Sequence, residues 1–293
     1  MSVLMVGAGA GGGYIGAQLI AAGRDVTFLV HPGTLKRLTR DGLRVRGAAG
    51  VQTIQVKAVA VEGLNRPYDV VLVAVRADAV EPVIRDINGA VGPRTRIVPI
   101  VNGIGHISLL TAAFGQDRVL GATARLAASL LPDGTIDVLA PGVHMELGQL
   151  DGGHSDALDN TVAELDVDNV AVTLRSDVDQ CHVGEIRVTA AAALTCLVGE
   201  PIGPIAQADG GIDLARAILA EVASVAEAEG TRLQPTSAPA STPFSPTLRL
   251  HPVRRCFATF RPTGRSKSMF SLILPHTPAT IGSARPSSTR LSS

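Results

Sequence analysis

The chain has 293 residues, 46% of them hydrophobic and only 3% aromatic, and its 26 basic side chains balance 26 acidic ones. That length allows two domains, each with its own core. The net charge of zero hides an asymmetry, with 26 acidic and 17 basic side chains over residues 1–229; no uninterrupted apolar run reaches membrane length, and neither a membrane nor nucleic acid is expected as a partner. With no charged-then-apolar leader ahead of the first apolar stretch, a soluble, cytoplasmic protein is expected. Cys181, Cys196 and Cys256 lack metal-ligand spacing and cannot all pair with one another, so reduced thiols and no metal site are expected.

The chain opens with Ser2-Val3-Leu4-Met5-Val6, which runs straight into Gly7-Ala8-Gly9-Ala10-Gly11-Gly12 and then into a helical stretch from Tyr14 to Ala22. A strand, a glycine turn and a helix in this order read as a dinucleotide-binding motif. Gly7 allows the tight turn, Gly9 lets backbone approach a pyrophosphate, and Gly12 permits close packing of helix on strand, while the helix start offers free amides to the anion. Asp25 to Val30 reads as the second strand, followed by a helix over Pro32 to Thr39. Asp69 to Val75 is a strongly buried strand, with a helix near Asp78 to Ile87 and another strand at Arg96 to Val101. Strands alternating with helices imply a doubly wound parallel sheet.

Val119 to Leu126, Ile136 to Leu139 and Val143 to Leu147 read as further strands that extend this sheet at one edge, with a turn at Pro132-Asp133-Gly134. From Ile186 to Leu197 and from Ile212 to Ala228 the periodicity is helical, and Gly230 is a stop signal. A dinucleotide-binding domain over 1–170 is therefore expected to lead into a helical substrate domain over 171–235, with the boundary near residues 166 to 176. Beyond Glu229 no Asp or Glu occurs, and the remaining segment holds nine of the 26 basic residues and nine of the 18 prolines. Such a composition cannot build a packed core, so residues 236–293 read as a disordered basic tail rich in Pro and Ser. It lacks the aromatic interleaving of a nucleic-acid binder.

Four patches taken together resemble the ketopantoate reductase (2-dehydropantoate 2-reductase) family. They are GAGAGGGYIGAQLIAAGRDVTFLV at the start, VLVAVRADAVEPVI at 71–84, VPIVNGIGHISLL at 98–110 and GATARLAASLLPDGTIDVLAPG at 121–142. Their order and spacing are far more specific than a lone glycine motif. The resemblance covers roughly the first 235 residues and implies an α/β fold, with an N-terminal Rossmann sheet and an all-helical second domain. It also implies an NADPH-dependent reduction of ketopantoate to pantoate, on the way to pantothenate and coenzyme A. The partner so implied is a small-molecule 2-oxo acid; a homodimer is left open. A reductase of another 2-oxo acid, or a noncatalytic NADP-binding or interaction protein, are the alternative readings.

Residue by residue, the resemblance makes Gly7 to Gly12, with Ala8, Ala10, Gly9 and Gly11, the pyrophosphate cradle. The second strand ends Leu29-Val30-His31 with no carboxylate to hydrogen-bond a ribose 2′-hydroxyl, which argues for NADP over NAD. His31, Lys36 and Arg37 are the cations available for a 2′-phosphate; His31 stands where the family usually has Arg, which weakens the site at neutral pH. Arg76 takes a position where many relatives have Lys, and Asn102 matches the family asparagine near nicotinamide and substrate. Ala122 approaches the cofactor through its backbone. His106, His144 and His154 have no Ser or Cys partner pattern and read as structural or solvated.

The family lysine is missing. Reduction of a ketone leaves charge on oxygen, so a proton donor and a cation are needed there. The family supplies both in a Trp-Glu-Lys pattern that opens the second domain. Thr195-Cys196-Leu197 fits the Thr-containing stretch that follows this pattern, and counting back from it places the lysine at Gly184, while no lysine occurs between Lys57 and Lys267. Reading Cys181 to Thr189 one base later permits Ala-Met-Trp-Glu-Lys-Phe-Val-Leu, with the lysine codon straddling Glu185 and Ile186. Starting one base earlier across Arg254 to Phe270 likewise permits the family's serine- and glutamate-bearing segment, the serine codon straddling Arg254 and Arg255 and the glutamate codon Ser266 and Lys267. Frameshifts near 180–190 and from about 235 onward are the reading that accounts for both gaps. On that reading Cys181 and His182 have no function.

Overall fold

The computed structural model describes residues 1–103, 105–178, 193–200 and 202–228. The readings that rest on Cys181, His182, Gly184, Glu185, Ile186 and the tail 236–293 lie outside these residues. The N-terminal body is built on β1 (Ser2–Val6), α1 (Ala10–Ala21), β2 (Asp25–Leu29) and α2 (Pro32–Asp41). Then follow β3 (Leu43–Gly47), β4 (Gly50–Ile54), β5 (Lys57–Val59), β6 (Val70–Val73), α3 (Val80–Asp86), β7 (Arg96–Pro99) and α4 (Gly105–Phe114).

The first sheet is five-stranded and parallel in the order β5-β2-β1-β6-β7, so the chain leaves β1 toward β2 and later crosses back to β6 on its other side. Both faces are covered, which is why the strands are apolar without alternation. Val3, Met5, Phe28, Leu72 and Val98 pack with Ile15 and Leu19 of α1 on one face. Leu4, Val6, Val71, Val73 and Ile97 pack with Val80 of α3 and Leu110 and Phe114 of α4 on the other. This is the doubly wound α/β arrangement expected from the alternation of elements.

The later strands depart from expectation. The chain meets β7 in the isolated parallel bridge Ile97–Val119 just before β8 (Leu120–Leu130), which then pairs antiparallel along its whole length with β9 (Ile136–Gln149). With β3, β4 and β10 (Val170–Leu174) these strands form a second sheet rather than an extension of the first. The segments Ile136 to Leu139 and Val143 to Leu147, read as two strands, are one. Pro141-Gly142 resembles a turn, yet the strand continues across it because the register shifts between Leu126 and Ala128 absorb the irregularity as a bulge. Gly142 takes φ 89° there and its N–H donates to Tyr14 Oη at 3.2 Å, which ties β9 to α1. α5 (Asp156–Leu165), capped where the Leu158 N–H donates to Ser155 Oγ at 3.3 Å, returns the chain to β10.

Every regular element described after Leu174 is helical: a run over 193–198, α6 (Ile202–Gln207) and α7 (Gly211–Ala228). Leu194, Ile202, Ile205 and Ala215 form a small core of their own. Among the described residues no helix is long and apolar enough to cross a membrane.

Asp69 fastens the start of β6 to the start of β1. Its carboxylate accepts from the Ser2 backbone N–H at 2.8 Å and from Ser2 Oγ at 3.0 Å. The backbone bond, aided by the hydroxyl, holds the Asp69 carboxyl below the usual carboxylate range. A depressed folded-state value means that the stabilisation is present above the unfolded value of about 3.9 and disappears as pH falls through the folded one. Asp69→Ala is expected to cost about 1–2 kcal/mol in urea denaturation at neutral pH, and progressively less below about pH 4.

Candidate functional site

In an open α/β sheet, ligands bind beyond the carboxyl ends of the strands where the strand order reverses. Here that point lies between β1 and β6. The loops after the two strands touch: a Cβ on Gly7, whose φ is 98°, would lie 2.7 Å from the Ala74 carbonyl oxygen and 3.3 Å from Val75 Cγ1. Gly7 also donates its N–H to the Leu29 carbonyl at 3.0 Å, which fixes the glycine loop to the end of β2.

The three glycines of the motif do different things. A Cβ on Gly12 would come within 2.6 Å of the Gly7 oxygen and 2.8 Å of Ala74 Cβ, so this position is closed by packing. A Cβ on Gly9 would meet nothing within 4 Å. Gly9 is the N-cap of α1, and the first turn of that helix carries no acidic side chain. The first-turn amides of a helix have no partner within it, so the bare Gly9 backbone and this turn together fit the pyrophosphate of a dinucleotide. Ala8 is buried, while Ala10 and Gly11 are half-buried at the helix start.

His31 is the exposed N-cap of α2, at the end of the second strand. Of the two cations read beside it, Lys36 is exposed, whereas Arg37 donates to the Gly134 carbonyl at 3.1 Å and so braces the β8–β9 turn. Arg76 and Asn102 stand at equal depth beyond adjacent strands, because Val73 pairs with Pro99 and each residue lies three positions further on. Both are exposed. Arg76 is engaged locally, donating from Nε and Nη2 to the Asp78 carboxylate at 3.1 and 2.6 Å. Ala122 is buried on β8, opposite Leu147, with its side chain in the α1-side core. His106 is buried on α4, His144 is exposed on β9, and His154 hydrogen-bonds Asp159 at 3.0 Å.

The sequence reading passed over a polar group on the second sheet. Thr123 donates to Glu146 Oε2 at 3.3 Å, and the guanidinium groups of Arg125 and Arg175 lie 3.6 and 4.0 Å from Glu146 Oε1. The available signal was the alternation of Thr123 and Arg125 with Ala122, Ala124 and Leu126, which marks a strand with one apolar and one polar face.

Residues 3–152 match the family model described as Ketopantoate reductase PanE/ApbA. Among relatives, the chain is 28% identical over 239 residues to the uncharacterized oxidoreductase YkpB of Bacillus subtilis (strain 168), covering 80% of this chain and 78% of that one. Among solved structures it is similar to 2-dehydropantoate 2-reductase from Geobacter metallireducens GS-15, with 27% identity, a TM-score of 0.71, and 78% and 76% of the two chains covered. It shares the fold of D-mandelate dehydrogenase, solved with NADH and anilino(oxo)acetate, at a TM-score of 0.74 and 18% identity over 80% of this chain and 76% of that one.

The contrast between Gly9 and Gly12 is testable. Gly12→Ala is expected to lower stability by about 1–3 kcal/mol through overpacking. Gly9→Val should leave the unfolding midpoint nearly unchanged and weaken dinucleotide binding about tenfold or more, read by nicotinamide fluorescence titration.

Proposed function

This chain belongs to the ketopantoate reductase family, and from that premise we propose that it descends from an NADPH-dependent 2-dehydropantoate 2-reductase. The observation that carries the reading is the open Gly9 position at the head of α1, set at the point where the strand order reverses. The cofactor supplies a hydride to the carbonyl carbon of a 2-oxo acid when bound. Gly7, Ala8, Gly9, Ala10, Gly11 and Gly12 would hold its pyrophosphate by backbone, and Ala122 would line it from β8. Arg76 and Asn102, level at the rims of β6 and β7, would face the nicotinamide end, with Asn102 orienting the substrate oxygen.

The absence of a carboxylate at Leu29-Val30-His31 supports NADP rather than NAD. With Arg37 committed to Gly134, the 2′-phosphate would fall to His31 and Lys36. We divide the chain into an NADP-binding half, 1–170, and a helical substrate half, 171–235; since β10 spans Val170–Leu174, the working boundary is best drawn after Leu174. The tail from 236 stays outside both.

As written, the chain has no lysine between Lys57 and Lys267 to protonate the nascent alkoxide. We attribute this to a shifted reading frame near 180–190 and again from about 235. Resequencing the coding DNA across these codons tests the attribution. The literal polypeptide is expected to reduce 2-dehydropantoate about 10²- to 10⁴-fold more slowly than a frame-restored version, in a steady-state NADPH oxidation assay. Equal rates would overturn the role given to the lysine. His31→Ala and Lys36→Ala should each narrow the preference for NADPH over NADH in paired fluorescence titrations, as expected for loss of a group that meets the 2′-phosphate.

A further inference from the structure

The rim where β7 meets β8 carries a cation that the reading above leaves unused. β8 runs parallel to β7 at the Ile97–Val119 bridge. Equal steps along the two strands put Thr123 level with Val101, and Arg125 just beyond, beside the turn that holds Asn102. Leu120, Ala122, Ala124 and Leu126 join the core on the α1 side, whereas Val119 belongs to the opposite core, with Leu110 and Phe114 of α4. Alternation therefore places Thr123 and Arg125 on the α4 side. Their cross-strand partners on β9 are Glu146 and His144.

Three arginines bear on this rim. Arg76 is held bidentate by Asp78, and Arg175 is held bidentate by Asp177 at 2.8 and 3.0 Å. Arg125 differs. Its side chain is 62% exposed, it makes no hydrogen bond among the described residues, and its ion pair with Glu146 is long, at 3.6 Å. Glu146 itself is only 18% exposed and is fixed by the Thr123 hydroxyl. A guanidinium anchored from one side by a fixed carboxylate keeps most of its five donors for a planar anion, and a carboxylate accepts two of them in parallel.

We propose that Arg125 binds the carboxylate of the 2-oxo acid, with Glu146 as the residue that positions it. The assignment rests on the 2-oxo acid reductase reading. It makes the carboxylate the selected group: keto acids would bind, and neutral ketones and aldehydes, which leave the guanidinium unpaired, would be disfavoured.

The test uses the full chain saturated with NADPH, titrated with the unreactive 2-oxo carboxylate oxamate and followed by nicotinamide fluorescence. Arg125→Ala and Arg125→Gln should each weaken oxamate about tenfold or more, as expected for the loss of a charge-assisted pair. Arg125→Lys should restore part of that affinity, and NADPH affinity should not change in any of them. Glu146→Gln should weaken oxamate less than removal of Arg125 does. Unchanged oxamate affinity in both Arg125 truncations would overturn the proposal and leave the reductase reading in place. NADPH binding without oxamate binding, in the literal and the frame-restored chain alike, would overturn the 2-oxo acid reading and this proposal together.

Discussion

The close seating of α1 on the sheet is the constraint on which the site depends. Gly12 fits against the Gly7 carbonyl and Ala74, Gly16 lies against the Phe28 ring, and Gly13 lies against Ile136 of the second sheet. At each of these positions a side chain would push the helix outward. Because none is present, the head of the helix comes down to the crevice between β1 and β6, where its unpaired amides meet whatever anion enters. The same closeness lets one helix serve two sheets: Tyr14 reaches Gly142 of β9 while Ile15 and Leu19 pack on the first sheet.

Much of the first sheet was legible because its strands are buried on both faces and therefore apolar without interruption. Val70–Val73 and Ser2–Val6 leave little ambiguity. The second sheet was harder to read. β3 and β4 are short and carry Arg44, Arg46 and Gln52 beside their few apolar residues, so only a weak alternation marks them. β9 hides behind Pro141-Gly142, a local turn signal that the long pairing with β8 overrides. Helix α4, rich in Ala, Leu and Ile, follows so closely on β7 that the sequence blurs their boundary. Within the site, the glycine loop was readable from spacing alone. The partners of Arg37 and Arg76 were not, because Gly134 is remote in sequence and the Arg76–Asp78 pair depends on side-chain geometry.

Electrostatics at the crevice rim is mostly internal. Arg76 and Arg175 each face a carboxylate two residues on, and such exposed pairs contribute little to stability, at most about 1 kcal/mol. Their effect is to remove positive charge from circulation, whereas Lys36 and Arg125 stand exposed and without a bidentate carboxylate partner among the described residues.

The cores are assembled from separate stretches of chain. Among the described residues, the two that sandwich the first sheet take none beyond Val172, and the helical core takes none before Leu194. Val178 is seated where Gly121 and Gly148 leave the second sheet bare. The cores of the N-terminal body are thus built without the described helices that follow. For a lineage, this means that the cores of the first body can be inherited intact while the described helices that follow them change.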